Sequence, residues 1–305
     1  MNQKIFRIGT RGSALALIQT QEVVRALETH HPGLKGRLEI IPLKTTGDTI
    51  VDRSLVELGG KSLFTKEIET ALLERTLDFA VHSMKDMAAD SLPGLVVPSM
   101  LEREDPRDAL ITRQGQLLED LPVGALFGTS SLRRQAHVLH KYPHFQAVSL
   151  RGNVPTRLQK VENGEIDATL LAVAGLKRLG LLEKATQILS LEEFLPAVAQ
   201  GAICIQCRER DQEALEILSP LNHYPTFQAV SAERAFMKAL NGSCRTPIAA
   251  YGVIKGESLV LKGMISKPQG QNMRFVTHKG PASHAKIIGW EAAQLLQRDL
   301  CDASF

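Results

Sequence analysis

The 305-residue chain has few aromatics, few cysteines, little charge excess and no long apolar run. No stretch approaches the ~18 consecutive apolar residues of a membrane helix. The first residues, MNQKIFRIGT, enter a strand pattern at once without the apolar core of a signal peptide, so a cytoplasmic protein without a membrane is expected. With a net charge of +3 and 5% aromatics there is no basic, aromatic-studded stripe, and nucleic acid is not an expected partner. Four cysteines, Cys204, Cys207, Cys244 and Cys301, do not make a disulfide framework in a chain this long. What is present is ordinary globular material, 44% hydrophobic and 23% charged, in a length that suits two or three domains.

Strand-like and helix-like patterns alternate from the start. KIFRIG (4–9) reads as a strand, Ser13 as the cap of an amphipathic helix, LEIIPLKT (38–45) as a strand, and TKEIETALLER (65–75) as a helix capped by Thr65. DFAVHSM (78–84) and LVVPSML follow as strands, which predicts an α/β lobe with a largely parallel sheet. EREDPRDAL (102–110), charged and broken by Pro106, reads as a crossing between domains. A second alternation follows: GALFG, SSLRRQAHVLHKY, FQAVSL, VPTRLQKVENG and DATLLAVAG (167–175), the last a strand. The halves echo each other, with Ile8-Gly9-Thr10 matching Phe127-Gly128-Thr129 and Asp78-Phe79-Ala80 matching Asp167-Ala168-Thr169. Two similar lobes facing one cleft are expected. From about 226 a helix, a hairpin turning near Lys255–Glu257 and a closing helix (286–300) predict a smaller α+β domain.

GGKS (59–62) looks like the end of a phosphate loop, but Leu55 stands where that loop needs glycine, so a mobile glycine-containing loop is the better reading. Cys204-x-x-Cys207 lacks a second pair and reads as core, and His137 with His140 lacks a completing ligand; no metal is expected. The cations say more. Arg11, Lys85, Arg133, Arg134, Arg151 and Arg157 all follow predicted strand ends, where open α/β sheets bind ligands. For any one of them a solvated helix end is the better reading; for the set, a site for several carboxylates or phosphates is favoured. Asp86, in HSMKD, is either a local ion pair with Lys85 or a functional carboxylate, and the two readings stand even. Cys244, in LNGSCRTP, taken alone reads as a small buried residue, although Arg245 beside it favours a thiolate.

TRGSALA (10–16), HSMKD (82–86), EREDPRDA (102–109), GTSSLRRQ (128–135), LRGNVPTRL (150–158), LAVAGLKRLG (171–180), LPAVAQGA (195–202) and NGSCRTPIAAY (241–251) occur in this order. Together they closely resemble the porphobilinogen deaminase (hydroxymethylbilane synthase) family over nearly the whole chain. The resemblance implies two periplasmic-binding-protein-like (type 2) α/β lobes plus a smaller α+β C-terminal domain. The boundaries are then 1–101 with 202–220, 102–201, and 221–305. It implies a monomeric transferase of haem and tetrapyrrole biosynthesis that condenses four porphobilinogen units, with loss of ammonia, to linear hydroxymethylbilane. A dipyrromethane cofactor on a cysteine thioether serves as primer, and the matching cysteine is Cys244. Asp86 matches the catalytic carboxylate, which stabilises the cationic azafulvene. Ser13, Lys85, Thr129, Ser130, Ser131, Arg133, Arg134, Arg151 and Gln200 match cofactor-binding positions, and Arg11, Arg157 and again Ser13 match substrate-binding ones.

Four positions depart from the family pattern. Met87-Ala88 replaces the commoner Val-Pro, Ala199 stands where glycine is common, and Glu57 where some members have lysine. Two rival readings are a non-catalytic two-lobed binder of an organic anion and an acyl transferase using Cys244 as nucleophile. The first has no use for Cys244, and the second wants a histidine that does not lie near Cys244 in sequence.

Overall fold

The computed structural model describes residues 4–49, 64–242 and 246–301. The 59–62 motif, Glu57 and the triplet Ser243-Cys244-Arg245 lie outside the described residues. In chain order the first elements are β1 (Phe6–Arg11), α1 (Ala14–His30), β2 (Leu38–Leu43), α2 (Thr46–Thr49), α3 (Lys66–Leu73), β3 (Phe79–Ser83) and β4 (Leu95–Met100). There follow β5 (Asp108–Thr112), β6 (Leu126–Gly128), α4 (Leu132–Lys141), β7 (Gln146–Val148), α5 (Val154–Glu162), β8 (Ala168–Ala172), α6 (Val173–Arg178) and β9 (Gln187–Ile188). The chain ends with β10 (Ile203–Arg208), α7 (Gln212–Leu218), α8 (Tyr224–Ala239), β11 (Ile248–Lys255), β12 (Ser258–Ile265), β13 (Arg274–Pro281) and α9 (Ala285–Cys301).

Compactness divides the chain into two units, Met1–Glu104 with Ala202–Phe227, and Asp105–Gly201 with Gln228–Phe305. The first holds a five-stranded sheet in the order β2-β1-β3-β10-β4, and the second a five-stranded sheet β7-β6-β8-β5-β9 together with the three-stranded sheet β11-β12-β13. Each five-stranded sheet is parallel except for one strand, β10 in the first and β5 in the second. The two sheets therefore share one pattern.

The sequence echo has a physical counterpart at each sheet's centre. A Cβ on Gly9 would come within 2.3 Å of Leu77 Cδ1, and one on Gly128 within 2.5 Å of Ile166 Cδ1. Only glycine lets the apolar residue before the next strand close over the first. Asp78 then accepts from Arg7 N at 2.8 Å, and Asp167 from Leu126 N at 2.7 Å. Each aspartate's own N–H returns to the same strand, to Arg7 O and Leu126 O. This reciprocal clamp sets the register of β1 with β3 and of β6 with β8, and so fixes where the carboxyl ends lie.

Packing follows the apolar pattern. Phe6, Ile8, Phe79, Ile203 and Ile205 form one core with Val23 and Leu27 of α1. Full burial of one such side chain contributes about 2–3 kcal/mol. In the second lobe Leu110, Phe127 and Leu170 pack on Val138 and Leu139 of α4. Cys204 and Cys207 are both fully buried, and burial pushes the Cys207 thiol up to about 12.

Several expectations need correction. Residues 108–110, read as part of a crossing, open β5, the antiparallel strand between β8 and β9. The strand expected over 167–175 stops at Ala172, and Val173–Arg178 is helix. Thr65 occupies the cap position of α3, but its hydroxyl donates to Glu69 Oε2 instead of accepting from the helix.

Candidate active site

In the first lobe, the parallel pairing of β1 with β3 brings their carboxyl ends to one edge. Arg11 is the last residue of β1; Lys85 and Asp86 sit in the 3-10 turn Met84–Asp86 after β3. Arg11 Nη1 lies 3.6 Å from Asp86 Oδ2, with both side chains partly exposed, at 24% and 31%. The Arg11 guanidinium also lies 4.3 Å from the centre of the Phe64 ring, which steers its fork. Ser13 caps α1, accepting from Ala16 N at 3.3 Å. The turn itself is pinned. Ser83 Oγ donates to Gln19 Oε1 at 2.9 Å, and Met84 N to Ala202 O at 3.0 Å. Met87, at the position of the Met-Ala departure, is buried, and its N–H closes the turn onto Met84 O.

In the second lobe, the β6–α4 connection carries Thr129, Ser130 and Ser131. Thr129 Oγ1 accepts from Ser131 N, Ser131 Oγ accepts from Arg134 N, and Ser130 Oγ donates to Leu150 O. The hydroxyls thus build the helix N-terminus, where backbone N–H groups favour an anion. Arg151 follows β7, and Arg157 lies in α5, donating from Nε to Gly152 O at 2.9 Å. Asn153, not singled out in the sequence, caps α5.

Arg133 and Arg134 are placed differently from a solvated helix end. Both are buried, at 4% and 7% exposure, and both pair with Asp108, which is fully buried at the start of β5. Arg133 Nη2 lies 2.8 Å from Asp108 Oδ2, and Arg134 Nη2 lies 2.7 Å from Oδ1. Gln200 Nε2 adds a bond of 3.0 Å to Asp108 Oδ1 and one of 2.7 Å to Pro106 O. Burial alone would raise the Asp108 carboxyl, but the two guanidiniums hold it well below the usual carboxylate range. Sequence reasoning missed Asp108. The available signal was a lone acid opening the apolar run ALI. The Gln200 turn is held in its own way: Ala199 has φ 62, and Glu233, buried on α8, accepts from Ala199 N at 2.7 Å and Gly252 N at 2.8 Å.

His137 is buried against Phe194, and burial, reinforced by Arg133, pushes it down to about 3. Among the described residues, no group of three or more His, Cys, Asp or Glu could hold a metal ion, and no helix is long and apolar enough to cross a membrane. Cys244 lies outside the described residues; residues on either side of it are hydrogen-bonded. Asn241 takes the left-handed conformation at φ 51, with Asn241 N bonded to Lys238 O and Gly242 N to Met237 O. That is a complete Schellman stop for α8. On the other side, Ile248 N bonds to Thr246 O as β11 begins.

Residues 6–216 match the family model "Porphobilinogen deaminase, dipyromethane cofactor binding domain", and residues 227–298 match "Porphobilinogen deaminase, C-terminal domain". The chain belongs to the porphobilinogen deaminase family. It is 46% identical over 97% of its length to the porphobilinogen deaminase of Syntrophotalea carbinolica, covering 93% of that protein. It is 49% identical over 91% of its length to the chloroplastic porphobilinogen deaminase of Oryza sativa subsp. japonica, covering 78% of it. Among solved structures, the second substrate binding domain of a putative amino acid ABC transporter from Streptococcus pneumoniae Canada MDR_19A aligns with a TM-score of 0.44 and 14% identity, over 78% of this chain and 95% of that one. That score is too low to add to the topology above. As a porphobilinogen deaminase family member the chain is a transferase of tetrapyrrole biosynthesis that works with a dipyrromethane cofactor. Neither the non-catalytic binder nor the acyl transferase fits that family.

Proposed function

We propose that this enzyme joins four porphobilinogen units head to tail, releasing ammonia at each step, with Asp86 as its catalytic carboxylate and Cys244 as the anchor of the primer. The observation that carries the reading is the Arg11–Asp86 pair, partly exposed at the carboxyl ends of β1 and β3. Asp108 with Arg133 and Arg134, by contrast, is closed off in the protein interior. Asp86 accepts a hydrogen bond from a pyrrole N–H and offsets the positive charge left on a substrate as its amine departs. Arg11 keeps that carboxylate oriented and contributes positive charge for the acetate and propionate of a pyrrole unit.

Each lobe by itself carries donors suited to a polycarboxylate. Lys85 and Ser13 in one lobe, and Thr129, Ser130, Ser131 and Arg151 around the α4 N-terminus in the other, supply cations and N–H groups suited to carboxylates. Arg133, Arg134 and Gln200 support this second set through Asp108, and Arg157 extends it. Dipyrromethane, when bound, supplies a free pyrrole carbon as acceptor. The three sheets among the described residues fit a division into 1–101 with 202–220, 102–201 and 221–305. The enzyme acts as a monomer in the cytoplasm.

Intact mass tests the anchor. The active enzyme should carry the added mass of two linked pyrrole units, and Cys244→Ser should lack it; an unmodified active enzyme refutes the assignment. Asp86→Ala should keep that mass and lose nearly all turnover. Normal turnover would remove Asp86 from the chemistry.

A further inference from the structure

The first lobe contains a chain of buried polar groups that substrate does not need to touch. Glu69 of α3 accepts from Thr65 Oγ1 on Oε2 and from Gln206 Nε2 on Oε1, each at 3.0 Å. The remaining atom of the Gln206 amide, Oε1, lies 3.2 Å from His82 Nε2. Thr65, Glu69, Gln206 and His82 are 1%, 2%, 0% and 5% exposed. The chain has a direction. A carboxylate offers no hydrogen, so the amide must turn its NH2 to Glu69 and its carbonyl to His82. A carbonyl only accepts, so His82 must carry its hydrogen on Nε2. Burial, with the charge of Arg11, holds His82 down at about 4, and the ring is neutral at pH 7.

The position of His82 gives this polarity a use. Residues 82, 83 and 84 are each tied to a different neighbour: His82 to Gln206 of β10, Ser83 to Gln19 of α1, and Met84 to Ala202 at the entry to β10. The next two residues are Lys85 and Asp86. We propose that Glu69 and Gln206 are positioning residues for the reaction: they fix His82 as its Nε2–H tautomer and, through it, the end of β3 that aims Asp86. This rests on Asp86 being the catalytic carboxylate.

The test uses holoenzyme labelled with nitrogen-15 at histidine, with tautomers read by NMR, alongside steady-state kinetics with porphobilinogen. Wild type should show His82 as a single neutral Nε2–H ring. Glu69→Gln preserves shape but removes the polarity, because a glutamine can face Gln206 either way. It should give mixed His82 tautomers and a kcat lowered about tenfold, with KM within twofold. Wild-type His82 found as Nδ1–H overturns the proposal, and that spectrum decides even if the variant fails to fold. A folded Glu69→Gln enzyme with normal kcat overturns it too, as does a lowered kcat with an unchanged tautomer. An inactive Asp86→Ala enzyme beside a normal Glu69→Gln enzyme removes only this inference; a normal Asp86→Ala enzyme removes the catalytic reading beneath it.

Discussion

Replacing Asp108 by asparagine keeps its shape and removes its charge, leaving Arg133 and Arg134 buried without a counter-ion. Breaking a buried pair from one side costs about 3–5 kcal/mol, because the remaining charge cannot return to water. Here two guanidiniums remain, both under 10% exposed, and their mutual repulsion is no longer offset. A cost of about 4 kcal/mol corresponds to a roughly thousandfold shift in the folding equilibrium and a Tm lower by about 8–16 °C. A control on the surface, Glu193→Gln facing Lys141, should cost under about 1 kcal/mol, since both partners are about half exposed. The acid limb provides a second reading. Asp108 is depressed in the folded state, so its stabilisation is complete above the ordinary carboxylate range and is lost as pH falls below about 4 toward its lowered value. Wild type should therefore weaken there by up to ~1.4 kcal/mol per pH unit more steeply than Asp108→Asn. Scanning calorimetry at neutral pH and urea titrations at acid pH measure both. An Asp108→Asn melt within 2 °C of wild type, or parallel acid limbs, would refute the reasoning.

Two further outcomes follow from the same physics. Gly270, at φ 80 in the turn between β12 and β13, packs on α4, where an added Cβ would meet His140 N at 2.6 Å and Ala136 O at 2.7 Å. Neither backbone atom can yield, so Gly270→Ala should destabilise by about 2–4 kcal/mol; an unchanged urea midpoint would count against that docking. His82 and His137 are held at about 4 and about 3, mainly by burial, against an ordinary value of 6.5. The unfolded chain takes up those protons first, so stability should fall as pH drops from about 6.5 to about 3, by up to ~1.4 kcal/mol per unit for each ring. His137→Gln should flatten that slope in urea titrations between pH 7 and pH 5, and equal slopes would refute the assignment.

The parts of this structure that could be read from sequence are those governed by local chemistry. Ser13 caps α1 as its hydroxyl suggests, Pro155 sits in the first turn of α5, and the hairpin turns at Gly256–Glu257 between β11 and β12. The 10–13 and 82–86 motifs lead to one edge of the first sheet because two parallel strands end there. Elements that depend on distant partners were hidden. β5 was obscured because Asp108, charged and next to Pro106-Arg107, is neutralised only by residues 25 and more positions away. The helix Val173–Arg178 was obscured because the apolar run LLAVAG suits either a buried strand or a buried helix. β13 was passed over because it is an edge strand with few apolar residues, partly exposed along its length. Sequence found Arg133 and Arg134 as a pair but not their burial, which only the fold creates.

The Schellman stop of α8 has a consequence for the proposed anchor. A Cβ on Gly242 would lie 2.3 Å from Ile248 Cδ1, so the first side chain of β11 packs against the stop of α8. Only residues 243–247 lie in between. On the proposed assignment of Cys244 as anchor, the primer starts three residues past Asn241 and four before Ile248 along the chain, between the stop of α8 and the start of β11.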